Sequence, residues 1–509
     1  MKLYSMNAGW ARVRLAGVGA SFALAVLIAG CGNYYQPVVT PVPTNGPPAQ
    51  PTAYAVVVSS TGATTPGVAT IIDYSGDSVM AEAPIGISPI GFALESDGFN
   101  GYSINSDGTI TNIPITTQLQ QKLELFTTLP PTAKVLNLFS PSFGLWATNL
   151  NGDVADVFTG SPQTFQLAVP VAPTPVTIAG APIGQGQREY VISQNFADST
   201  GLTCNTSPST VTTDGVATPI EISTDSVDVP IPVGKCPVYA VPSTDLKRLF
   251  VLNRGDDTIT VINSQNNTLD ACTPFLNQNG QPVTCHPTLP LSLSAVAATR
   301  IKPPNGTAGM PQIAGPVDAE YNAATQQLVV ADYTGGTISI IDVSLDQYGN
   351  DSPTFGTTYT VPVGNNPASV TALYDGSRAY AANQSDGTVT VVNLSSHTVE
   401  KTLTVEGHPR TVVSTQNSEY SKVYVASPDS PYITVIESTP SVLDQIATTV
   451  LVEGNVVDVR TTTPNGGRGN NANFSSRIPG YGQPCNLPPA LMTAKYGATY
   501  TLTDCQASP

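Results

Sequence analysis

Residues 363–405 read V-G-N-N-P-A-S-V-T-A-L-Y-D-G-S-R-A-Y-A-A-N-Q-S-D-G-T-V-T-V-V-N-L-S-S-H-T-V-E-K-T-L-T-V. Runs rich in β-branched residues and Ala, at 368–372, 378–382, 388–393 and 399–405, predict four short strands. The turn formers Asp375-Gly376, Asp386-Gly387 and Ser395-Ser396 separate these runs. Because a four-stranded sheet cannot bury both of its faces alone, such a unit must stack on neighbours. The stretch therefore predicts one unit of an all-β repeat protein.

The beginning of the third strand recurs along the chain. Gly67-Val-Ala-Thr-Ile-Ile-Asp73 matches Gly336-Thr-Ile-Ser-Ile-Ile-Asp342 and, more loosely, Gly387-Thr-Val-Thr-Val-Val-Asn393. The anchors of this pattern are Gly67, Gly108, Gly152, Gly215, Asp257, Gly336, Gly387 and Pro431. Eight anchors predict eight four-stranded units. The long intervals 152–215 and 257–336 contain Cys204, Cys272 and Cys285, so they predict insertions stapled by disulfides.

Two further sequence motifs recur at corresponding positions of the units. A Gly and then a Pro precede the first strand in Ile85-Gly-Ile-Ser-Pro89, Val233-Gly-Lys-Cys-Pro237 and Val363-Gly-Asn-Asn-Pro367, and one residue out of step in Val405-Glu-Gly-His-Pro409. Pro is tolerated at the start of a strand, and Gly allows a sharp crossing between sheets. The second strands read Arg248-Leu-Phe-Val-Leu-Asn253, Arg378-Ala-Tyr-Ala-Ala-Asn383 and Lys422-Val-Tyr-Val-Ala-Ser427.

Together these motifs resemble the YVTN-repeat family of β-propellers, which occurs in bacterial surface-layer and periplasmic proteins and is allied to lactonase-type propellers. The resemblance is close over residues 234–452 and weaker over 54–232. It implies four-stranded blades arranged radially around an axis. Members of that family usually have seven blades, so seven is the alternative to the eight that the anchors predict.

The two ends of the repeat region predict how the ring closes. Tyr54-Ala-Val-Val-Val-Ser59 resembles a second strand with no first strand before it, and Val456-Val-Asp-Val-Arg-Thr461 resembles a first strand with no successor. Pairing the two segments would complete one blade and hide two unpaired edges. The propeller is therefore expected to span residues 54–462, followed by a Gly/Asn/Pro-rich tail at 463–509.

The N-terminus resembles an export signal. An apolar run at 15–28 follows the basic residues Lys2, Arg12 and Arg14, and it is too short for a stable membrane-spanning helix. Residues 27–31, Leu-Ile-Ala-Gly-Cys, closely resemble the bacterial lipobox, which implies a signal peptide at 1–30 and lipidation of Cys31. An ordinary signal with a chance Cys is the alternative.

The resemblance to the lipobox also implies a location. Gly32 rather than Asp follows the lipidated Cys, so nothing suggests retention at the inner membrane. We expect a lipid-anchored protein of the bacterial cell envelope, at the outer membrane and either periplasmic or surface-exposed. The Pro-rich residues 31–53 would then form a tether between the lipid and the propeller.

The remaining six cysteines favour disulfides in an oxidising compartment. Six cysteines allow fifteen pairings, but proximity favours Cys204 with Cys236, Cys272 with Cys285 and Cys485 with Cys505. Zinc ligation is the competing use. It is disfavoured because the chain has no C-x-x-C motif and only three histidines, His286, His397 and His408.

The net charge argues against nucleic acid as a partner, and the aspartates in the turns define a candidate ligand face. The chain has 36 acidic and 20 basic residues, a net charge of −16, which argues against nucleic acid because phosphates demand a basic surface. Asp107, Asp153, Asp256, Asp257 and Asp386 fall in equivalent turns, which a propeller would bring to one face. Such a face could bind Ca²⁺ or a cationic ligand, but Asp before Gly is also ordinary turn chemistry, which is favoured.

No catalytic motif is evident. The sequence has no G-x-S-x-G elbow, no P-loop and no H-E-x-x-H. His408, in a crossing loop, could act as a base, although a solvated loop histidine is favoured. We therefore expect no catalytic residues and no cofactor other than Ca²⁺, in a binding or scaffolding module for an envelope protein or glycan. The alternative is a lactonase-like hydrolase of a lactone or sugar ester, which rests on fold analogy.

Overall fold

The computed structural model describes residues 53–95, 98, 100–115, 125–140, 144–160, 163–180, 188–197, 204, 211–277, 279–280, 282–291, 313–415, 421–439 and 442–462. The predicted signal peptide and lipidation site, nearly all of the tether, the tail and the predicted pair Cys485–Cys505 lie outside these residues. Within the described part of the chain, no helix is long and apolar enough to cross a membrane.

Antiparallel four-stranded sheets follow one another along the chain, and each is one blade of a ring. The first strand of a blade lies innermost and the fourth outermost. Blade 1 contains β1 (Tyr54–Ser60), β2 (Pro66–Asp73) and β3 (Val79–Ile87), and blade 2 contains β4 (Pro89–Leu94), β5 (Asn100–Asn105), β6 (Thr109–Pro114) and β7 (Leu125–Thr128). Blade 3 contains β8 (Val135–Phe139), β9 (Leu145–Asn149), β10 (Val154–Thr159) and β11 (Thr164–Pro170). Blade 4 contains β12 (Pro175–Gly180), β13 (Arg188–Ser193), β14 (Asp214–Glu221), β15 (Ser226–Val227) and β16 (Ile231–Lys235).

The second half of the ring repeats this order. A separate two-stranded hairpin, β21 (Phe275–Leu276) with β22 (Pro282–Val283), projects from blade 5, and a short 3-10 turn, Gln384–Asp386, lies in blade 7. Blade 5 contains β17 (Pro237–Pro242), β18 (Arg248–Asn253), β19 (Thr258–Asn263), β20 (Thr268–Leu269) and β23 (Thr288–Pro290), and blade 6 contains β24 (Pro316–Asn322), β25 (Gln327–Asp332), β26 (Thr337–Asp342) and β27 (Thr358–Pro362). Blade 7 contains β28 (Pro367–Ala372), β29 (Arg378–Asn383), β30 (Thr388–Asn393) and β31 (Thr398–Thr404), and blade 8 contains β32 (Thr411–Ser414), β33 (Lys422–Ala426), β34 (Tyr432–Glu437) and β35 (Gln445–Leu451). The last strand, β36 (Asn455–Thr461), returns to blade 1.

Blade 7 matches the strands that its sequence predicts to within one residue at each end. Its inner three strands are almost wholly buried because both faces pack against neighbouring blades. Tyr380, Val389 and Val391 of blade 7 pack with Val412 and Val425 of blade 8, for example. The hydrophobic core is therefore a set of layers between blades, which is why one unit cannot fold alone.

The ring closes as the two ends of the repeat region predict. Strand β36 pairs antiparallel with β1, with Val57 opposite Val459, and supplies the innermost strand of blade 1. Beyond this ladder, Tyr54 N donates to Thr462 Oγ1 at 2.7 Å, and Tyr74 Oη donates to the Thr462 carbonyl at 2.8 Å. Eight blades are present, so the count from the anchors is confirmed over the seven usual in the family that the chain resembles.

Ion pairs connect several blades at the end of the ring that carries the turns between first and second strands. Lys422 of blade 8 contacts Asp77 of blade 1 at 2.7 Å, and Arg378 of blade 7 contacts Asp444 of blade 8. Arg248 of blade 5 contacts Asp351 of blade 6 at 3.0 Å. The basic residue begins the second strand in each case, so this position of the repeat joins one blade to the next.

The outermost strands of four blades are bulged. In blades 1, 3, 7 and 8 the ladder between the third and fourth strands skips one residue of the fourth strand. The skipped residues are Met80, Gln166, Glu400 and Ala447. A bulge disrupts an edge ladder and so discourages pairing with another chain.

Blades 4 and 5 depart from the pattern because their outermost strand is split in two. Strands β15 and β16 both pair with β14 in blade 4, and β20 and β23 both pair with β19 in blade 5. The predicted disulfides Cys204–Cys236 and Cys272–Cys285 both form. Cys272–Cys285 lies within the split outer strand of blade 5, between β20 and β23, whereas Cys204–Cys236 joins the segment between β13 and β14 to the crossover into blade 5. The insertions predicted from the long anchor intervals are thus stapled loops on consecutive blades.

The two disulfides differ in exposure, and we expect them to differ in reduction. Cys204 and Cys236 are fully buried, whereas Cys272 is exposed. Because thiol–disulfide exchange requires access to a sulfur atom, a mild reductant should open Cys272–Cys285 in the folded protein well before Cys204–Cys236. Alkylation followed by peptide mass spectrometry measures the order. Simultaneous labelling of all four cysteines under native conditions would contradict it.

Candidate functional site

Asparagines at the end of second strands organise the turns that follow. The side-chain amide of Asn383 donates to Thr388 Oγ1 and Thr390 Oγ1 of the third strand, at 3.0 and 2.8 Å. Asn105 and Asn253 make the corresponding pairs of bonds. A Cβ on Gly364 would lie 2.5 Å from Asn383 Cγ, and a Cβ on Gly86 or Gly234 would lie similarly close to Asn105 or Asn253, so the Gly before the first strand of these three blades leaves room for the Asn. Close approach therefore explains this glycine, in addition to the sharp crossing that the sequence predicts.

Carboxylates in these turns hold the crossover that enters the same blade. In each case one oxygen accepts a hydrogen bond from a backbone N–H of the crossover. The pairs and their O···N distances are Asp107 Oδ2 with Ile87 N (3.0 Å), Asp256 Oδ2 with Lys235 N (3.0 Å), Asp386 Oδ2 with Asn365 N (2.7 Å) and Asp429 Oδ1 with His408 N (2.8 Å). We call these four side chains the crossover carboxylates.

Two further candidates hold the crossover that leaves their own blade. Asp153 Oδ1 accepts from Thr174 N at 2.9 Å, and Asp257 Oδ1 accepts from Gly315 N at 2.8 Å. Burial raises the pKa of Asp257 to about 6, against the lowering effect of the bonds from Gly315 and Ala314 and of the nearby Arg254. The carboxyl of Asp257 therefore ionises closer to neutral pH than a free aspartate does.

His408 lies in the crossover into blade 8 and contacts a carboxylate. Its Nδ1 is 2.5 Å from Asp429 Oδ2, and its backbone N–H donates to the other oxygen of the same group. Both side chains are more than a third exposed. A half-exposed His–carboxylate pair has the geometry that a general base requires, because the carboxylate orients the ring and stabilises its protonated form.

The candidate residues belong to the turns and crossovers of five blades: Asp107 to blade 2, Asp153 to blade 3, Asp256 and Asp257 to blade 5, Asp386 to blade 7 and His408 to blade 8. Among the described residues, no group of three or more His, Cys, Asp or Glu side chains could hold a metal ion. Turn and crossover chemistry therefore accounts for these carboxylates, and Ca²⁺ binding stays a prediction.

Removing one crossover carboxylate should lower stability modestly. Asp386 accepts from both N and Nδ2 of Asn365, and Asp386→Ala leaves these donors to water. We expect the free energy of unfolding to fall by about 1 kcal/mol, the worth of a typical hydrogen bond. Asp375→Ala is the control, because the bonds of Asp375 stay within its own turn. Equal losses in urea unfolding of both variants would contradict a role in holding the crossover.

A second polar set lies along the innermost strands. Because adjacent inner strands are not paired in one sheet, side chains bridge them. Asp318 Oδ2 accepts from Val370 N at 3.0 Å, and Glu320 Oε1 accepts from Ala372 N at 3.1 Å. Between blades 7 and 8, hydroxyl groups make the same kind of bridge. Ser369 Oγ accepts from Val412 N at 3.2 Å, and Thr371 Oγ1 accepts from Ser414 N at 3.1 Å. Asp318, Glu320, Ser369 and Thr371 are all buried.

The closing strand adds a buried ion pair to this set. Arg460 Nε and Nη2 lie 3.1 and 3.0 Å from Asp458 Oδ2, and Thr411 Oγ1 donates to Asp458 Oδ1 at 2.9 Å. Thr461 Oγ1 also donates to the Ser414 carbonyl at 2.8 Å. The Arg460–Asp458 pair lies within β36, whereas the bonds from Thr411 to the Asp458 carboxylate and from Thr461 to Ser414 fix β36 against β32. The bond to the carboxylate is charge-assisted and therefore stronger than a neutral one.

Sequence reasoning missed these inner-strand side chains. A usable signal existed, because Asp318 and Glu320 stand two and four residues after Pro316, and Ser369 and Thr371 stand two and four residues after Pro367. Polar residues with this spacing lie on one face of a strand that otherwise looks like core. The sequence alone does not say that this face meets the backbone of the next blade.

Two buried carboxyl groups were also missed. Asp332 ends the second strand of blade 6, where four other blades have Asn, and its Oδ2 accepts from Thr337 Oγ1 and Ser339 Oγ at 3.0 and 2.7 Å. Burial raises the pKa of Asp332 to about 7. Glu189 in β13 is fully buried, and neither of its carboxyl oxygens hydrogen-bonds to another residue that the structure describes. Burial raises the pKa of Glu189 well above the usual value. Both groups favour the neutral form in the folded protein.

Comparison with known proteins supports the fold. No protein-family model and no curated protein matches the chain. Among solved structures, the chain is similar to dihydro-heme d1 dehydrogenase NirN (TM-score 0.54, 13% identity, covering 82% of this chain and 77% of that one) and to apo AztD from Citrobacter koseri (0.50, 14%, 80% and 97%). A putative 6-phosphogluconolactonase from Bacteroides fragilis gives 0.48, 15%, 82% and 99%. At such identities a likeness shows the fold alone: the chain is an eight-bladed β-propeller.

Proposed function

We propose that this chain is a lipid-anchored β-propeller of the bacterial cell envelope that binds a protein or a glycan. The observation that carries the proposal is the contrast between the blades. The candidate carboxylates of the regular turns hold crossovers, whereas blades 4 and 5 have a split outer strand and disulfide-stapled segments. The staple of blade 4 joins the segment between its second and third strands to the crossover into blade 5, and that of blade 5 lies between the two parts of its outer strand. Loops that depart from a rigid repeat are where recognition usually resides.

Several sequence features support the envelope part of the proposal. Disulfides persist in oxidising compartments, and the structure has two of them. Residues 27–31 resemble a lipobox, and the Pro-rich residues 32–51 that follow have the composition of an extended tether. A tether of this length would hold the propeller away from the membrane surface while keeping it attached.

Labelling and fractionation test the anchor. The producing cells are grown with radiolabelled palmitate, and the full chain is compared with Cys31→Ser. We expect label and membrane association in the wild type, and loss of both in the variant. Unlabelled wild-type protein in the soluble periplasmic fraction would refute the lipid anchor while leaving the binding role open.

A hydrolase of lactones or sugar esters is the second candidate. The pair His408–Asp429 favours it, since a half-exposed imidazole 2.5 Å from a carboxylate can accept a proton from water. The carboxylates of Asp318 and Glu320 do not favour it, because both side chains are buried and one oxygen of each accepts a backbone N–H.

Turnover of a panel of lactones and sugar esters separates the two functions. For a hydrolase, His408→Ala should lower kcat/KM by about 100-fold or more. The matched control is His397→Ala, which removes a histidine that stacks on Tyr359 at the rim. For a binding module, no substrate of the panel turns over, and an envelope protein or glycan is retained by the purified chain. Turnover that is lost in His408→Ala and kept in His397→Ala would overturn the binding proposal.

A further inference from the structure

The hairpin inserted in blade 5 presents apolar side chains to solvent. Phe275 pairs with Val283, and Leu276 with Pro282, in a ribbon that the Cys272–Cys285 disulfide closes at its base. We call residues 272–285 the stapled hairpin. Leu276 is 68% exposed and Phe275 is 45% exposed, whereas Val283 is buried. The ribbon therefore packs on the propeller through Val283 and leaves a large apolar area free.

The base of the stapled hairpin is held by a buried charge cluster. His286, next to Cys285, has its Nδ1 2.8 Å from Asp351 Oδ2 and stacks on Phe355 with ring centroids 5.2 Å apart. Arg248 Nη2 lies 3.0 Å from Asp351 and 3.2 Å from Asp270. These contacts join the hairpin to the second strand of blade 5 and to the loop after the third strand of blade 6.

The far end of the stapled hairpin is held as well. The side chain of Asn277 hydrogen-bonds to Asp346, in the same loop of blade 6 that supplies Asp351. Two residues further along this loop, Tyr348 is 44% exposed. We call Phe275, Leu276 and Tyr348 the hairpin patch. Its backbone is fixed at both ends, so a partner that binds it orders little chain, which favours affinity.

The charges around the hairpin patch indicate the chemistry of its partner. Residues 271–291 contain no Asp, Glu, Lys or Arg. The half-exposed carboxylate of Asp346 lies beside the hairpin, where the side chain of Asn277 hydrogen-bonds to it. The chain as a whole carries a net charge of −16. A complementary surface is apolar at its centre and basic at its edge.

Three other occupants fit less well. A second copy of the chain would bring two bodies of charge −16 together, which electrostatic repulsion opposes. A bilayer would have to take up the polar turn with Asn277 and Asn279, beyond Phe275 and Leu276, and burying such amides is costly. A glycan needs convergent hydrogen-bonding groups, whereas the most exposed member of the patch is Leu276.

We propose that the hairpin patch docks into an apolar groove, edged by Lys and Arg, on another protein of the cell envelope. This inference rests on the proposed binding function and assigns it a surface and a class of partner. Large rigid side chains that protrude from a fixed frame typically carry most of the energy of an interface.

The test begins with site-specific photo-crosslinking in the producing cells. A photoreactive phenylalanine analogue replaces Leu276 in the full chain, and Val399 in a control, because Val399 is also an exposed apolar residue, on the outer strand of blade 7. We expect a protein adduct at position 276 and none at 399. The adduct is identified, and the captured protein is purified for binding measurements.

Binding measurements then decide the proposal. The double variant Phe275→Ser/Leu276→Ser should weaken binding of the purified partner at least 30-fold, because hot-spot truncations typically cost about 2 kcal/mol or more. The matched variant Val399→Ser/Tyr432→Ser, which removes two exposed apolar groups elsewhere, should weaken binding less than 3-fold. Affinity should also fall as salt is raised, because the edge contacts are ionic. Equal effects of the two variants, or no adduct at 276, would overturn the proposal.

Separate probes distinguish failure of the hairpin-patch proposal from failure of the proposed binding function. Cys31→Ser protein is tested for co-sedimentation with phosphatidylethanolamine–phosphatidylglycerol vesicles and with isolated peptidoglycan. Vesicle binding lost in Phe275→Ser/Leu276→Ser would assign the patch to a bilayer. Retention on peptidoglycan without a protein adduct would refute the protein partner and keep the binding function. Lactone turnover that requires His408 would refute both.

Discussion

Ending the chain after Gly454 should abolish the cooperative thermal transition, whereas ending it after Thr462 should preserve it. The two truncations differ only by β36 and Thr462. Without this segment, blade 1 loses its innermost strand and β1 exposes an unpaired edge. The expected result with the shorter chain is a broad, weakly cooperative melt and increased aggregation.

The size of this effect follows from burial. Val456, Val457 and Val459 are almost fully buried. Burying one such side chain stabilises by roughly 1.5–3 kcal/mol, so the three together contribute about 5–9 kcal/mol. That is comparable with the entire stability of a typical domain, about 5–15 kcal/mol. Calorimetry measures both truncations. Similar sharp transitions would show that the ring does not need its closing strand.

Replacing Asp332 with Asn should stabilise the protein at pH 8 and weaken its dependence on pH. The pKa of Asp332 rises from 3.8 in a free carboxyl to about 7 because the group is buried. Below about pH 4 the group is protonated in both states. Between pH 4 and 7 only the unfolded chain ionises, so stability falls as pH rises, and above pH 7 the loss is complete.

A pKa difference of three corresponds to about 4 kcal/mol, which is the upper bound on the gain at pH 8. Asn at this position can donate to Thr337 and Ser339 as Asn383 does to Thr388 and Thr390. Urea unfolding at pH 5 and pH 8 measures the change. Some pH dependence should remain in the variant, because burial also raises the pKa values of Asp257 and Asp270 to about 6.

The reciprocal variant Asn383→Asp is the matched control. It places the carboxyl in blade 7, where the same two third-strand hydroxyls are present. It should destabilise the protein at pH 8 much more than at pH 5. If Asp332→Asn destabilised the protein at pH 8, the carboxylate at 332 would be an essential charged acceptor instead.

Sequence reasoning succeeded where local chemistry decides the outcome. The four strands of blade 7, the eight units and the closure through residues 456–461 follow from alternation of apolar residues and from turn formers, which act over a few residues. The pairings Cys204–Cys236 and Cys272–Cys285 follow from short separations of 32 and 13 residues. These features needed no knowledge of how blades contact one another.

The candidate site shows the limit of such reasoning. Asp107 and Asp386 were placed correctly in equivalent turns, but only the structure shows that each accepts an N–H about 20 residues earlier in the chain. Asp318 bonds to the blade that follows, across 52 residues. The partner of a side chain between blades depends on how two sheets are oriented, and no local pattern encodes that orientation.

By itself, the sequence determined an all-β ring of repeated four-stranded units, its closing strand and its two stapled departures, because periodicity and turn chemistry are local properties. The tertiary structure alone decided which polar groups are occupied by backbone, which carboxyls are neutral when buried, and which apolar side chains remain exposed. Asp332 and Leu276 are examples. These properties depend on the blades and insertions that surround each residue, so they exist only once the ring has closed.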